Sequence, residues 1–485
     1  MSAFTGTQFL EAAAGAASLA ACGSSQPPAQ STAESKRPNL LLLFPDQWRF
    51  DWLGANPEVP VRTPNVDALA ARGVRFTKAV CASPLCAPSR ACLAAGKEYD
   101  RCRVAGNGAN FPLDQTTYYQ LLRDGGYHVM GCGKFDLHKA TEDWGLDGKR
   151  LLSEWGFSDG VDNAGKFDAI RSGAKEPKDP YMGYLHQHEL AQMHVDDFKG
   201  RTGMASYSNT EPTPLPNHAY CDNWIGERGL ELLRNAPADK PWFMQVNFTG
   251  PHDPLDATAS MLEPWRKVEG FPEANRNTQF PAEKHQVMRQ NYSAMCANLD
   301  AWVGRFLEEV ENRGELDNTL VVFSSDHGEM LGDHNRWKKR LPYQPSVGVP
   351  FVVAGPGVEA QTASEALVSV MDLAATFLDY AGLDVPQEMD SRSLRPVLSS
   401  AQAQHREHLR SGLDPWRMVT DGKWKLVRGF DESIEGYYSS RDTPSYADMQ
   451  QFTLLFDLDA DPLENTNVAG ENPEIVQRLE SYLQV

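Results

Sequence analysis

The chain has 485 residues, of which 41% are hydrophobic, 10% aromatic and 23% charged. That composition excludes a disordered chain, a collagen-like one and a disulfide-dense miniprotein. With 46 basic against 65 acidic residues the formal charge is −19, the wrong sign for a generic nucleic-acid or anionic-membrane binder. An anionic substrate must therefore be drawn into a local basic pocket against a repulsive global field.

Residues 1–21 read as a lipoprotein signal. Ala12 to Ala21 is small and apolar, and Leu19-Ala20-Ala21-Cys22 reads as a bacterial lipoprotein cleavage box, although the first 21 residues hold no Lys or Arg. On this reading Cys22 is acylated and becomes the first mature residue. Residues 22–37, rich in Ser, Pro, Gln and Ala, form a flexible tether. The expected location is periplasmic or membrane-tethered. The membrane is met only through that lipid, because no run approaches the ~18 apolar residues of a spanning helix. Eight cysteines, with two of them expected to be modified, allow no disulfide pairing to be chosen.

From Pro38 onward, short apolar runs alternate with helical patterns, the signature of a layered α/β domain. Leu40 to Phe44 is a buried strand stopped by Pro45. Thr63 to Gly73 reads as a helix with Pro64 in its first position. Cys86 opens a short helix that runs to Gly96. A helix over Thr116 to Asp124 precedes a strand from Tyr127 to Met130. Leu151 to Pro216 is polar, punctuated by Gly and Pro, and reads as an irregular insertion over the site. Trp224 to Arg234 is helical, Trp242 to Phe248 a strand, Arg289 to Arg313 a long helix, and Leu320 to Phe323 and Val349 to Ala354 are strands. Beyond residue 400 the texture changes to short antiparallel strands at Trp416–Val419, Trp424–Val427 and Leu454–Leu458, then a helix from Pro473 to Leu483. The expected division is a catalytic domain over 38–400 and an α+β subdomain over 401–485.

Four of the buried strands run straight into concentrated polar chemistry. Leu40–Phe44 leads to Asp46-Gln47; Tyr127–Met130 leads to Lys134, Asp136 and His138; Trp242–Phe248 leads to His252-Asp253; Leu320–Phe323 leads to Asp326-His327. Ligands of open α/β sheets bind outside the carboxyl ends of strands. Asp46, Gln47, Asp326 and His327 offer carboxylate, amide and imidazole ligands to one divalent cation. The oxygen-rich set favours Ca²⁺ first or Mg²⁺, and the imidazole leaves Mn²⁺ or Zn²⁺ open. Cys86 stands at a helix N-terminus, where free N–H groups favour an anion.

Cys86-Ala87-Pro88-Ser89-Arg90 resembles the signature of the type I sulfatases of the alkaline phosphatase superfamily, whose cysteine is oxidised after translation to formylglycine. Thr63–Ala70, Gly133-Lys134, Gly250-Pro251-His252, Ser325–Glu329 and Phe456–Leu458 resemble further blocks of that family, in family order. The resemblance implies an alkaline-phosphatase-like α/β fold: a large mixed sheet sandwiched by helices, with a small C-terminal antiparallel sheet. It implies hydrolysis of sulfate monoesters, on a sulfated carbohydrate or other small molecule, after a maturation enzyme has made formylglycine from Cys86. A hydrated aldehyde attacks sulfur, the alcohol leaves, and loss of the second hydroxyl proton expels sulfate, which a simple serine ester does less readily.

The residues carried over follow the matching motifs. Arg90 holds the nucleophile; Asp46, Asp326 and His327, with residue 86 itself, bind the metal; Gln47 stands where many members have a second Asp. Lys134 contacts the sulfate. The family histidine two residues later is replaced by Asp136, so the base is Asp136 or His138. His252 lies on the leaving-group side, Lys339 matches the second sulfate-binding lysine, and Asn107, Lys338 and Arg340 face the substrate. Two rival readings remain at this point. One is a phosphonate or phosphate ester hydrolase of the same superfamily; the other is a non-catalytic sulfated-glycan-binding protein, if Cys86 stays a thiol.

Overall fold

The computed structural model of the protein describes residues 37–276, 279–360, 363–433 and 445–483; the expected signal, Cys22 and the tether up to residue 36 lie outside them. The main sheet contains β1 (Asn39–Asp46), β2 (Val74–Arg75), β3 (His128–Gly133), β4 (Asp159–Asp162), β5 (Trp242–Pro251), β6 (Thr319–Ser324) and β7 (Phe351–Ala354), in the order β2-β7-β6-β1-β5-β3-β4. Pairing is parallel from β6 to β4 and antiparallel at β7. β1 sits at the centre with every residue buried. A strand covered on both faces needs a continuous apolar run, and Leu40-Leu41-Leu42-Leu43-Phe44 is one. Its even-numbered residues face one apolar core and its odd-numbered leucines the other.

The register decides where the chemistry falls. Leu43 pairs with Phe323 of β6 and Val246 of β5, and Val246 pairs with Cys132 of β3. Four adjacent parallel strands therefore end at one height, on one edge of the sheet. The helices that cover them form for local reasons. In α1 (Pro64–Ala71) proline takes the first turn; α2 (Cys86–Ala95) ends on Gly96 with φ 62°, where a Cβ would lie 2.8 Å from the side chains of Met389 and Ser391. In α3 (Tyr118–Asp124), Thr117 and Gln120 form a capping box.

The segment expected to be irregular is largely helical. Helices span Leu152–Trp155, Lys166–Gly173, Pro180–Gln187, Ala191–Lys199 and Ala205–Ser208, around strand β4. Each is short and buries only a few positions, such as Ala191, His194 and Phe198 at helical spacing, so polar composition masks the period. Beyond them lie α4 (Cys221–Arg234) and α5 (Ala282–Asn312). The C-terminal sheet is β8 (Leu409–Leu413), β9 (Trp416–Thr420), β10 (Trp424–Arg428) and β11 (Thr453–Asp457), antiparallel in that order. Edge strand β8 was not expected, since Leu-Arg-Ser-Gly-Leu is short and holds a glycine. Trp416, Met418 and Val427 of this sheet share one apolar core with Leu40, Leu42 and Phe44 of β1. Among the described residues no helix is long and apolar enough to cross a membrane.

Candidate active site

Cys86 is 1% exposed and sits at the first turn of α2, facing the edge where β6, β1, β5 and β3 end. Its Sγ lies 3.3 Å from His327 Nε2 and 3.8 Å from Asp46 Oδ1. Burial and Asp46 push the thiol up, but Lys134, Lys339 and His327 outweigh them and hold it well below an ordinary cysteine. Buried Cys132 and Cys221, away from those cations, are pushed the other way. Ligand atoms of Asp46, Cys86, Asp326 and His327 all lie within 4.8 Å of one another. Two carboxylates, an imidazole and residue 86, all buried, are a donor set that fits a divalent cation.

Arg90 holds this cluster together from one turn further along α2. Its Nε and Nη2 reach Asp326 Oδ2 at 3.0 and 2.9 Å, and Nη2 reaches Asp46 Oδ2 at 3.3 Å. Its Nη1 donates to the Lys134 carbonyl at 2.6 Å and to Asn247 Oδ1 at 3.1 Å. The guanidinium is therefore fully satisfied while buried, as a buried charge must be. Lys134 pairs with Asp46 and, at 3.2 Å, with Asp136. Burial disfavours the Lys134 ammonium, yet Asp136 and Asp46 keep it well above its usual range. Burial opposes ionisation of Asp46 too, but Lys134, His252, Arg90 and Lys339 hold its carboxyl well below the usual range.

Above Cys86 opens a cavity of about 490 Å³, lined by Asn107, Lys134, Lys139, Lys166, His252, Lys338, Lys339 and Arg340 among others. This is the local basic pocket that the acidic chain requires. Lys339 Nζ lies 2.6 Å from His252 Nε2 and also donates to Gln47 Oε1. His252 Nδ1 is 2.6 Å from the Asp253 carbonyl oxygen, which places the proton on Nδ1 and leaves Nε2 as the acceptor from Lys339. Lys338 pairs with Asp253 at 3.4 Å. Asn107 Oδ1 accepts from the Ala87 N–H at 3.1 Å and so caps the start of α2.

Two expected residues fall elsewhere. His138 is buried between Trp144 and Trp155, with Nε2 3.1 Å from the Asp143 carbonyl, and it does not line the cavity. Its neighbours Asp136 and Lys139 stay at the site, paired at 2.8 Å, while the His138 ring itself is turned into the tryptophans. His138 thus packs between tryptophans, and of the two candidates Asp136 is the one beside Lys134. Gln47 spans the pocket wall: its Oε1 accepts from Lys339 and its Nε2 donates to Glu329. As a metal ligand it would have to give up Lys339.

Residues that sequence reasoning missed complete the walls. Lys139 bridges Asp136 and Asp168 at 2.8 and 2.6 Å, and Lys166 pairs with Asp256 at 2.7 Å. Asn247 receives both Arg90 and, at 2.7 Å, Gln245, which in turn accepts from the hydroxyls of Tyr118 and Tyr119. Gln245 and Asn247 lie two apart in an apolar strand, hence on one face; that spacing was the available signal.

Fold and site together define the class: an α/β protein whose buried Cys86 faces a lysine-lined cavity at the carboxyl edge of its sheet. The model of the family described as Sulfatase matches residues 38–383, and that described as N-sulphoglucosamine sulphohydrolase, C-terminal, matches residues 332–435. The chain is 26% identical to an arylsulfatase of Clostridium perfringens, with 92% of each covered. It is 27% identical to an N-acetylglucosamine-6-O-sulfatase of Bacteroides thetaiotaomicron, covering 96% of this chain and 88% of that one. The fold is similar to that of the phosphonate monoester hydrolase of Agrobacterium radiobacter, with a TM-score of 0.72 at 22% identity over 92% of this chain and 95% of that one. It is also similar to a protein solved in complex with its substrate D-glucosamine-2-N,6-O-disulfate, with a TM-score of 0.68 at 20% identity over 92% and 97%. The chain belongs to the sulfatase family of the alkaline phosphatase superfamily and is a sulfuric ester hydrolase.

Proposed function

We propose that this protein hydrolyses sulfate monoesters of a sulfated sugar, with residue 86 matured to formylglycine by an oxidising enzyme of the host cell. The observation that carries the reading is the placement of Cys86: a buried thiol with depressed pKa, on the floor of a lysine-lined cavity and 3.3 Å from His327. Hydrated formylglycine supplies a geminal diol, one hydroxyl of which attacks sulfur while the other gives up its proton to expel sulfate. Asp46, Asp326, His327 and residue 86, with Gln47 as a further donor, would hold one divalent cation, Ca²⁺ in preference to Mg²⁺ or Mn²⁺. That cation supplies positive charge beside the nucleophile.

The chain's own residues do the rest. Arg90 holds Asp46 and Asp326 in register with α2. Lys134 and Lys339 bind sulfate oxygens from two sides, with Lys338, Arg340 and Asn107 at the rim. Asp136, whose pairing to Lys134 and Lys139 supports the choice over His138, takes the diol proton in this reading. His252 protonates the departing sugar oxygen: once a sulfate draws the Lys339 ammonium to itself, Nε2 is released to carry a proton. The sugar reading draws support from the N-acetylglucosamine-6-O-sulfatase relative and from a cavity roomy enough for one sugar ring. The N-terminal reading is carried forward as part of this proposal: export, cleavage before Cys22 and a lipid tether, followed by the 38–400 and 401–485 division.

Turnover of matched sulfate, phosphate and phosphonate esters of one alcohol tests the reading. The sulfate should be hydrolysed with the highest kcat/KM. A phosphonate or phosphate preference would overturn it in favour of the other hydrolase activity.

A further inference from the structure

The segment Leu331–Arg340, which delivers Lys338 and Lys339 to the cavity, is held in a conformation such residues rarely adopt. Leu331, His334, Asn335, Lys338 and Arg340 all have left-handed φ, from 48° to 79°. Strain of this kind persists only where the surroundings dictate it, and it gathers at functional sites. Glu329 Oε1 accepts from the N–H groups of Leu331 and Lys338 at 2.7 and 2.8 Å. Arg336 Nη2 donates to the Glu432 carbonyl at 3.0 Å, and the His334 ring stacks on Tyr343 at 4.0 Å.

The last residue of the segment is tied on both sides. The Arg340 N–H donates to the Pro84 carbonyl at 3.1 Å, two residues before Cys86. Its carbonyl accepts from the indole N–H of Trp416 at 3.0 Å. Trp416 is 1% exposed and belongs to β9 of the C-terminal sheet. The same sheet reaches the approach to Cys86 through Gly412 N–H, which donates to the Ala82 carbonyl at 3.1 Å. Arg340 is thus strung between the turn that leads to the nucleophile and a strand some 76 residues further along the chain.

We infer that Trp416 is a positioning residue: through the Arg340 carbonyl it sets Lys339 over residue 86, so that the C-terminal sheet is part of the anion pocket. The inference rests on the reading above only in taking Lys339 as a sulfate ligand. Trp416 has no reach to the substrate, so its effect must run through the lysine.

Trp416→Phe keeps most of the ring and deletes the indole N–H. One lost hydrogen bond to a buried carbonyl predicts that KM for an aryl sulfate and the inhibition constant of inorganic sulfate rise together by about five- to tenfold. The kcat should stay within about twofold, because the reacting groups are untouched. A double-mutant cycle with Lys339→Ala then separates positioning from mere stability. In the Lys339→Ala background, Trp416→Phe should change neither constant further. Additive effects would overturn the inference, as would unchanged constants in the single variant. Arg336→Gln loosens the same segment from a partly exposed position and serves if Trp416→Phe does not fold; it must show the same non-additivity with Lys339→Ala, and additivity there is equally fatal. Wild-type turnover of the aryl sulfate is the control: its absence would remove the sulfatase reading itself, whereas additivity with turnover intact would remove this inference alone.

Discussion

Replacing His252 with alanine separates proton donation from binding. A sugar alkoxide is a poor leaving group and needs a proton as its S–O bond breaks, whereas a nitrophenolate hardly does. A positioned general acid contributes about 10²–10⁴-fold. The structure puts the expected loss at the lower end. His252 Nε2 is 2.6 Å from Lys339 Nζ, so a second proton donor already stands on the leaving-group side and takes over part of the work. His252→Ala should therefore lower kcat/KM for a sugar sulfate by about 10²-fold and for 4-nitrophenyl sulfate by less than about fivefold. Steady-state kinetics on the two substrates, with one enzyme preparation, provide the comparison. Equal losses on both would refute the assignment and make His252 a binding residue, with Lys339 as the acid.

The remaining predictions concern the metal cluster and the fold. Asp46→Ala and Asp326→Ala should each lose bound divalent metal together with activity, measured by elemental analysis; unchanged metal content would remove the site. Arg90→Met leaves Asp46 and Asp326 buried without their shared cation, and breaking such a pair costs about 3–5 kcal/mol. The denaturation midpoint should fall accordingly and recover in part with added Ca²⁺; an unchanged midpoint would contradict the arrangement. His194 is buried against Tyr181 and Phe198, and burial pulls it down to about 4. The unfolded chain takes that proton first, near pH ~6.5. Stability from this group is thus complete above ~6.5 and lost as pH falls towards 4, by about 3 kcal/mol in all. His194→Leu should flatten the stability profile over that window, and an unaltered slope would refute the burial argument.

The sheet edge was legible because parallel strands buried on both faces are mostly apolar, Gln245 and Asn247 excepted, until they end. Asp46, Lys134, His252 and Asp326 are the first charged or imidazole groups after their apolar runs, apart from the exposed-to-buried transition at His128, and register brings all four to one height. Cys86 and Arg90 were legible through α2, whose proline and Gly96 mark its ends. What stayed hidden depends on long-range contact. Lys139, Lys166 and Asp168 lie in or beside the insertion, where nothing local distinguishes a cavity wall from a solvated loop. His138 could not be placed from sequence, because its ring packs between Trp144 and Trp155 while Asp136 and Lys139 on either side stay at the site, and no sequence period reports that. Trp416 looked like one more apolar strand residue; only the Arg340 carbonyl gives its indole N–H a role.

Mass spectrometry of the peptide carrying residue 86, taken from catalytically active protein, tests the central claim most directly. The account predicts an aldehyde at that position, captured by a hydrazide probe, with its occupancy proportional to specific activity across preparations. An active preparation whose residue 86 is wholly an unmodified thiol would contradict it.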